Sequence, residues 1–176
     1  MAIFYTIGHS TRTIEDLIAA LQAHDIRTLV DIRAFPASRR LPQFNREALE
    51  QSLAAAGIRY VWMKELGGYR KKIRAESPHI ALRNESFRNY ADYTLTEEFR
   101  AAIETLLGLA SDNRTVYMCA ERVFFHCHRM IVSDYLVVHG HEVLHIEDAR
   151  PVKPHRLTSD ARIIDGELIY RGDRLL

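Results

Sequence analysis

Five short runs rich in Ile, Val and Tyr recur along the chain, at 3–7, 28–32, 58–62, 115–119 and 142–146, and the apolar residues between them fall at helical spacing. A chain that alternates these two periods is predicted to form an α/β domain with a largely parallel sheet flanked by helices. Ile14, Leu17, Ile18 and Leu21 follow the i, i+3, i+4, i+7 rule behind Thr13, a capping residue. Asn45 is the expected cap of a second helix that Gly57 ends, and Thr96 precedes a third with Glu97 and Glu98 in its first turn and a stripe from Phe99 to Ala110. A fourth helix, at about 128–139, is apolar nearly all round and is expected to be buried. Residues 64–94 fit no strand-helix unit, because Gly67, Gly68 and Pro78 interrupt them and their charges are mostly basic, so they read as a lid-like excursion in which Phe87, Tyr90 and Tyr93 either pack a short helix onto the core or offer faces for stacking. Asp165-Gly166 is a turn dipeptide that predicts a C-terminal hairpin within 161–172.

At 176 residues the chain is the length of one domain, and surface scaling has it burying about 70 % of its unfolded surface. We therefore expect a single domain over 1–176 with a five-stranded sheet and no second core. A composition of 47 % hydrophobic and 27 % charged residues excludes a disordered or collagenous chain. With 24 Lys and Arg against 23 Asp and Glu, the net charge of +1 provides no global field for nucleic acid or an anionic membrane, so any anion site must be local. Two cysteines are too few for a disulfide scaffold, and the apolar run at 2–7 is too short for a signal peptide or a membrane span. The expectation is a cytoplasmic protein with reduced thiols and no membrane contact.

In an open α/β sheet, ligands bind beyond the carboxyl ends of the strands. The chemically unusual residues cluster at those ends: Gly8-His9-Ser10-Thr11, then Asp31-Ile32-Arg33 with the loop through Arg39 and Arg40, then Glu65-Leu66-Gly67-Gly68, and finally Cys119-Ala120-Glu121 with Cys127-His128-Arg129. The Ile-Gly-His-Ser opening, Val30-Asp31-Ile32-Arg33, Pro36, Ser38, Arg39, Pro42-Gln43-Phe44-Asn45, Leu66-Gly67-Gly68 and the two cysteine motifs together resemble the domain-of-unknown-function 488 family over about 3–147. The resemblance implies a compact bacterial or archaeal α/β domain, sometimes labelled as DNA-repair associated, with no agreed catalytic residues. Residues 122–126, with Phe124 and Phe125, are more apolar here than the polar segment of that family.

Cys119 closes a strand and Cys127 stands at a helix start beside His128 and Arg129, where dipole and cations favour a thiolate. The strand, cysteine loop, helix order is similar to rhodanese-like sulfurtransferases and cysteine phosphatases, but the phosphatase spacing of Cys, five residues and Arg is absent. The leading expectation is a small enzyme, a cysteine-dependent hydrolase or transferase, acting on a phosphate-bearing or nucleotide-like substrate. Cys127 is the expected nucleophile, activated by His128 or Arg129, with Cys119 beneath it, Asp31 orienting a partner and Glu121 as acid or base. Arg33, Arg39 and Arg40 would grip the anion, with His9, Ser10, Gly67, Gly68 and Arg129 completing the binding site. The alternative from another class is a nucleic-acid-binding module using Tyr69, Arg70, Lys71 and Lys72. A third is a Cys/His metal-binding redox or sensor protein with Zn or Fe, although the sequence requires no cofactor and assigns no metal ligand. Oligomeric state is not legible.

Overall fold

The computed structural model describes residues 1–172. Its central sheet has the order β3-β2-β4-β1-β5-β6, formed by β1 (Ile3–Gly8), β2 (Thr28–Asp31), β3 (Arg59–Trp62), β4 (Thr115–Cys119), β5 (Glu142–His145) and the two-residue β6 (Lys153–Pro154). The first five are parallel, as expected, and β6 adds an antiparallel edge beyond the five strands that the sequence marks. A separate antiparallel pair, β7 (Ala161–Ile164) and β8 (Glu167–Tyr170), is the hairpin about Asp165-Gly166.

Strand alternation divides the core in two. Phe4, Val30, Ile32, Tyr117, Cys119 and Val143 face α3 (Glu85–Tyr93), α4 (Glu97–Asp112) and α5 (Arg129–Val138). Tyr5, Ile7, Leu29, Val116 and Met118 face α1 (Ile14–Ala23) and α2 (Arg46–Ala55). The chain leaves β1 through α1 on one face and β4 through α5 on the other, so the two neighbouring strands send their connections opposite ways. That is the switch point at which open sheets form their crevice.

Local signals explain most helix starts. Thr13 Oγ1 accepts the Asp16 N–H at 3.0 Å, and Thr96 Oγ1 accepts that of Phe99 at 3.2 Å. Asn45 does stand at the start of α2, but its Oδ1 accepts the Ser38 N–H at 2.5 Å and so ties down the preceding loop instead of capping the helix. The segment 64–94 ends in a docked helix: Asn84 caps α3, Tyr90 donates to the Leu66 carbonyl at 2.8 Å and Tyr93 to that of Glu65 at 2.5 Å, while residues 71–76 between them stay exposed.

The hairpin is held by a buried polar chain. Asp134 on α5 accepts from Tyr170 Oη at 2.7 Å, from the Thr158 N–H at 3.0 Å and from His155 Nε2 at 2.7 Å. His155 Nδ1 lies 2.8 Å from His145 Nε2, whose Nδ1 lies 2.6 Å from the Thr6 hydroxyl, so every polar atom of the chain has a partner. Removing the central carboxylate would strand several buried donors at once. Asp134→Ala is expected to lose about 3–5 kcal/mol in urea unfolding, whereas Tyr170→Phe, which removes one hydrogen bond to the carboxylate, should lose roughly 1.5–3 kcal/mol.

Candidate active site

The site begins where β1 and β4 end in register, Gly8 opposite Cys119. The pairing runs on past the strands, as the His9 N–H donates to the Cys119 carbonyl at 3.0 Å and that of Ser10 to Ala120 at 2.9 Å. A Cβ at position 8 would overlap the Glu121 carbonyl, so only glycine lets the cysteine loop fold over the end of β1. That loop passes through a short 3₁₀ turn, Phe124–His126, and delivers Cys127 just before α5.

Cys119 and Cys127 meet beneath the loop as free thiols, their sulfurs 2.7 Å apart and both buried. The first backbone N–H of α5, that of Arg129, donates to Cys127 Sγ at 3.4 Å. The Arg129 side chain is 2 % exposed, and only its Nη2 finds a protein acceptor, the Arg122 carbonyl at 3.0 Å. Its Nε and Nη1 are buried without a protein partner. A guanidinium so placed requires a nearby anion, and its field favours ionisation of both thiols.

The Cys119 thiol is held below its ordinary range chiefly by its hydrogen bond with Cys127, against the cost of burial and with help from Arg129. Cys127 is pushed up, first by its hydrogen bond with Cys119 and then by burial. These directions favour Cys119 as the sulfur that ionises more readily, while the sequence points to Cys127, at which the helix N–H of Arg129 is aimed. His128 activates neither thiol, because its Nε2 donates to the Ile32 carbonyl at 2.8 Å and burial lowers its pKa to about 4. Its other edge supports Gly68, where a Cβ would come within 2.7 Å of Nδ1.

The thiols open onto a cleft of about 750 Å³. Of the expected site residues, Cys119, Cys127, Glu121, His128, Arg33, Gly68, Tyr69, Arg70 and Lys71 line it. The others are placed elsewhere. Arg39 borders a separate shallow hollow with Pro42 and Asn45, and neither Arg40, Lys72 nor Gly67 reaches the thiol cleft. Arg70 is fixed by donating to the carbonyls of Gly67, Lys64 and Glu65, with its guanidinium 3.8 Å from the Tyr93 ring.

Asp31 and Arg33 do share one side of their strand, but it is the side facing α2, whereas Cys119 faces α5. Asp31 is fully buried and takes a bidentate pair from Arg33 Nε and Nη2 at 2.9 and 2.7 Å, together with the Tyr60 hydroxyl at 2.6 Å. Arg33 also donates to the Phe44 carbonyl at 2.8 Å, so its charge is matched internally. His9 is 3 % exposed, stacks on Phe44 at 4.4 Å, and sets Nδ1 against the Ser10 carbonyl and Nε2 against Arg33 Nη1. Burial lowers its pKa to about 4, so it stands as a neutral imidazole against Arg33; Ser10, at φ 49°, turns the chain away.

Two features of the cleft gain a place only in the fold. His126, which the sequence offers only as one of several Cys/His metal-ligand candidates, is an exposed imidazole on its wall. Phe35 and Tyr69 stand at its mouth 73 % and 82 % exposed with ring centroids 5.7 Å apart, a pair that only the approach of two distant loops creates. Among the described residues no group of three or more His, Cys, Asp or Glu side chains is placed to hold a metal ion, and no helix is long and apolar enough to cross a membrane.

Comparison with known families decides one point. The model of the family described as domain of unknown function DUF488 matches residues 13–136. The chain belongs to the DUF488 family. The match takes in the Asp31 and Arg33 strand, the Gly67-Gly68 turn and both cysteines, so the site of this DUF488 domain lies almost entirely within the shared region. No curated protein and no solved structure matches the chain.

Two outcomes follow from these electrostatics. Iodoacetamide is expected to alkylate Cys119 before Cys127, with a pH midpoint below the ordinary thiol value of about 8.5. Cys127→Ala should raise that midpoint, while Cys127→Ser, which still donates, should raise it less. His9, His128 and His145 are all neutral in the fold, with pKa values of about 4, 4 and 3 against 6.5 for a free imidazole. Unfolded chains therefore bind more protons below pH 6.5, and the stability present above that pH is lost as pH falls towards 4. The urea midpoint should drop across this window, at up to about 1.4 kcal/mol per pH unit for each imidazole.

Proposed function

We propose that this DUF488 domain is a small thiol-dependent enzyme, a hydrolase or transferase for a phosphate-bearing or nucleotide-like substrate. The observation that carries the reading is the buried Cys119–Cys127 pair, backed by Arg129, at the floor of a roomy cleft at the sheet's switch point. Lys71 and Arg70 supply cations on the cleft wall, and Phe35 and Tyr69 offer ring faces at the mouth. Cys119 sulfur attacks the electrophilic centre and forms a covalent bond as the leaving group departs. Glu121 or His126, both exposed on the wall, gives that group its proton, and water or an acceptor then releases the transferred group.

Protection of the thiol tests this reading. Inorganic phosphate or a nucleoside monophosphate is expected to slow alkylation of Cys119 in a saturable manner, and Lys71→Ala should weaken the protection several-fold. Alkylation unaffected by every phosphate compound tried would overturn the assignment of substrate class.

A second reading has its own observation. Phe35 and Tyr69 are exposed side by side, and Lys71 and Lys72 follow as exposed cations, an arrangement that suits stacking on a single-stranded nucleic acid. If this surface binds an oligonucleotide, Lys71→Ala with Lys72→Ala should weaken binding and flatten its salt dependence, by about 0.7 in log–log slope for each lysine that neutralises a phosphate. An unchanged slope would return these lysines to ordinary surface.

A further inference from the structure

Two thiols within contact of one another can do more than share a proton. They come from the end of β4 and from the residue before α5, eight positions apart, and the loop between them holds no regular element beyond one 3₁₀ turn. Only a small movement of that loop separates 2.7 Å from the bond length of about 2.05 Å. Neither sulfur pairs with any other side chain of the described residues.

We propose that Cys119 and Cys127 form a reversible dithiol–disulfide couple whose oxidising substrate is a small hydroperoxide. The proposal rests on the reading of Cys119 as the thiolate of the site. Access selects the oxidant class: the two residues are 2 % and 8 % exposed, which a peroxide can reach from the cleft and a protein disulfide cannot. Cys119 thiolate attacks one peroxide oxygen, the O–O bond breaks, and hydroxide or alkoxide leaves, giving a sulfenic acid on Cys119. Cys127 sulfur then attacks Cys119 sulfur, the S–O bond breaks, and the departing hydroxide takes the Cys127 proton as water. The peroxide is reduced by two electrons and the pair is oxidised by two. An external dithiol reverses the reaction by exchange.

Arg129 biases this couple. Its buried guanidinium, with Nε and Nη1 lacking a protein partner, favours a thiolate over the uncharged disulfide, so it biases the pair towards the reduced state and keeps the disulfide readily reducible. Formation of the disulfide removes the nucleophile, so peroxide would silence any thiol-dependent turnover until reductant returned.

The experiment uses the reduced full chain, treated with one equivalent of hydrogen peroxide at neutral pH, quenched with iodoacetamide and weighed intact. The expected product is a monomer lacking two hydrogens that resists alkylation at both cysteines and regains both on dithiothreitol treatment. Cys127→Ala should stop at the sulfenic acid and carry a dimedone adduct on Cys119, while Cys119→Ala should carry none. A wild-type protein that keeps a dimedone-reactive sulfenic acid, or that links through disulfides between chains, would overturn the proposal whether or not the variants fold. Alkylation of untreated protein against pH separates the two readings. An early Cys119 midpoint without disulfide formation refutes the redox couple alone, and an ordinary midpoint refutes the thiolate as well.

Discussion

The in-register pairing of β1 with β4 is the constraint on which the site depends. It sets Gly8 against Cys119, and because residue 8 has no side chain, the loop after β4 can cross the end of β1 with the Glu121 carbonyl directly above it. The crossing returns the chain to the face from which Cys119 projects, and Cys127 arrives there just as α5 begins. A residue with a Cβ at position 8 would have to lift the loop, and with it the second thiol. Pairing, close approach and the meeting of the sulfurs are thus one geometric event.

Helix α5 carries two buried charges of opposite sign, and the fold treats them differently. Asp134 is met by two hydroxyl- and imidazole-bearing side chains and a backbone N–H, and its function is to attach the C-terminal hairpin. Arg129 donates to one carbonyl, keeps Nε and Nη1 without a protein partner, and favours ionisation of both thiols. A fully satisfied buried charge is a structural tie, whereas an under-satisfied one lends its field to whatever ionises beside it. The first turn of α5 is therefore its active end and the middle of the helix its anchor. Phe124 links them, since its ring lies 3.9 Å from and parallel to His145 of the anchoring chain while its own 3₁₀ turn leads into Cys127.

The second half of the site, around Asp31 and Arg33, is rooted on the α2 side of the sheet, although Arg33 still reaches the wall of the thiol cleft. The sequence pattern Asp-Ile-Arg correctly puts both charges on one side of the strand. It does not say which side, and the answer makes this pair a buried brace, with His9, Phe44 and Tyr60 gathered around it. Its effect on the cleft is to fix the course of the loop that carries Phe35 to the mouth.

Local chemistry was enough to read the alternation of strands and helices, the Thr13 and Thr96 caps, the Asp165-Gly166 hairpin and the gathering of unusual residues at the carboxyl edge, because each is written within a few consecutive residues. The short helix α3 is written in Phe87, Tyr90 and Tyr93, but its Asn84 cap and the hydroxyl bonds that dock it come from outside that pattern. The two-residue β6 has no sequence period to detect and forms only because β5 offers an open edge. The roles within the site lay beyond the sequence for a different reason. Which cysteine ionises, whether Arg33 is free or matched, and whether Arg70 faces a ligand or its own carbonyls depend on burial and on partners brought together by the fold. The sequence by itself determined that these groups would gather at one edge of a parallel sheet; only tertiary structure decided which of them kept an unmatched charge, because desolvation and pairing are properties of the packed environment and not of the residue.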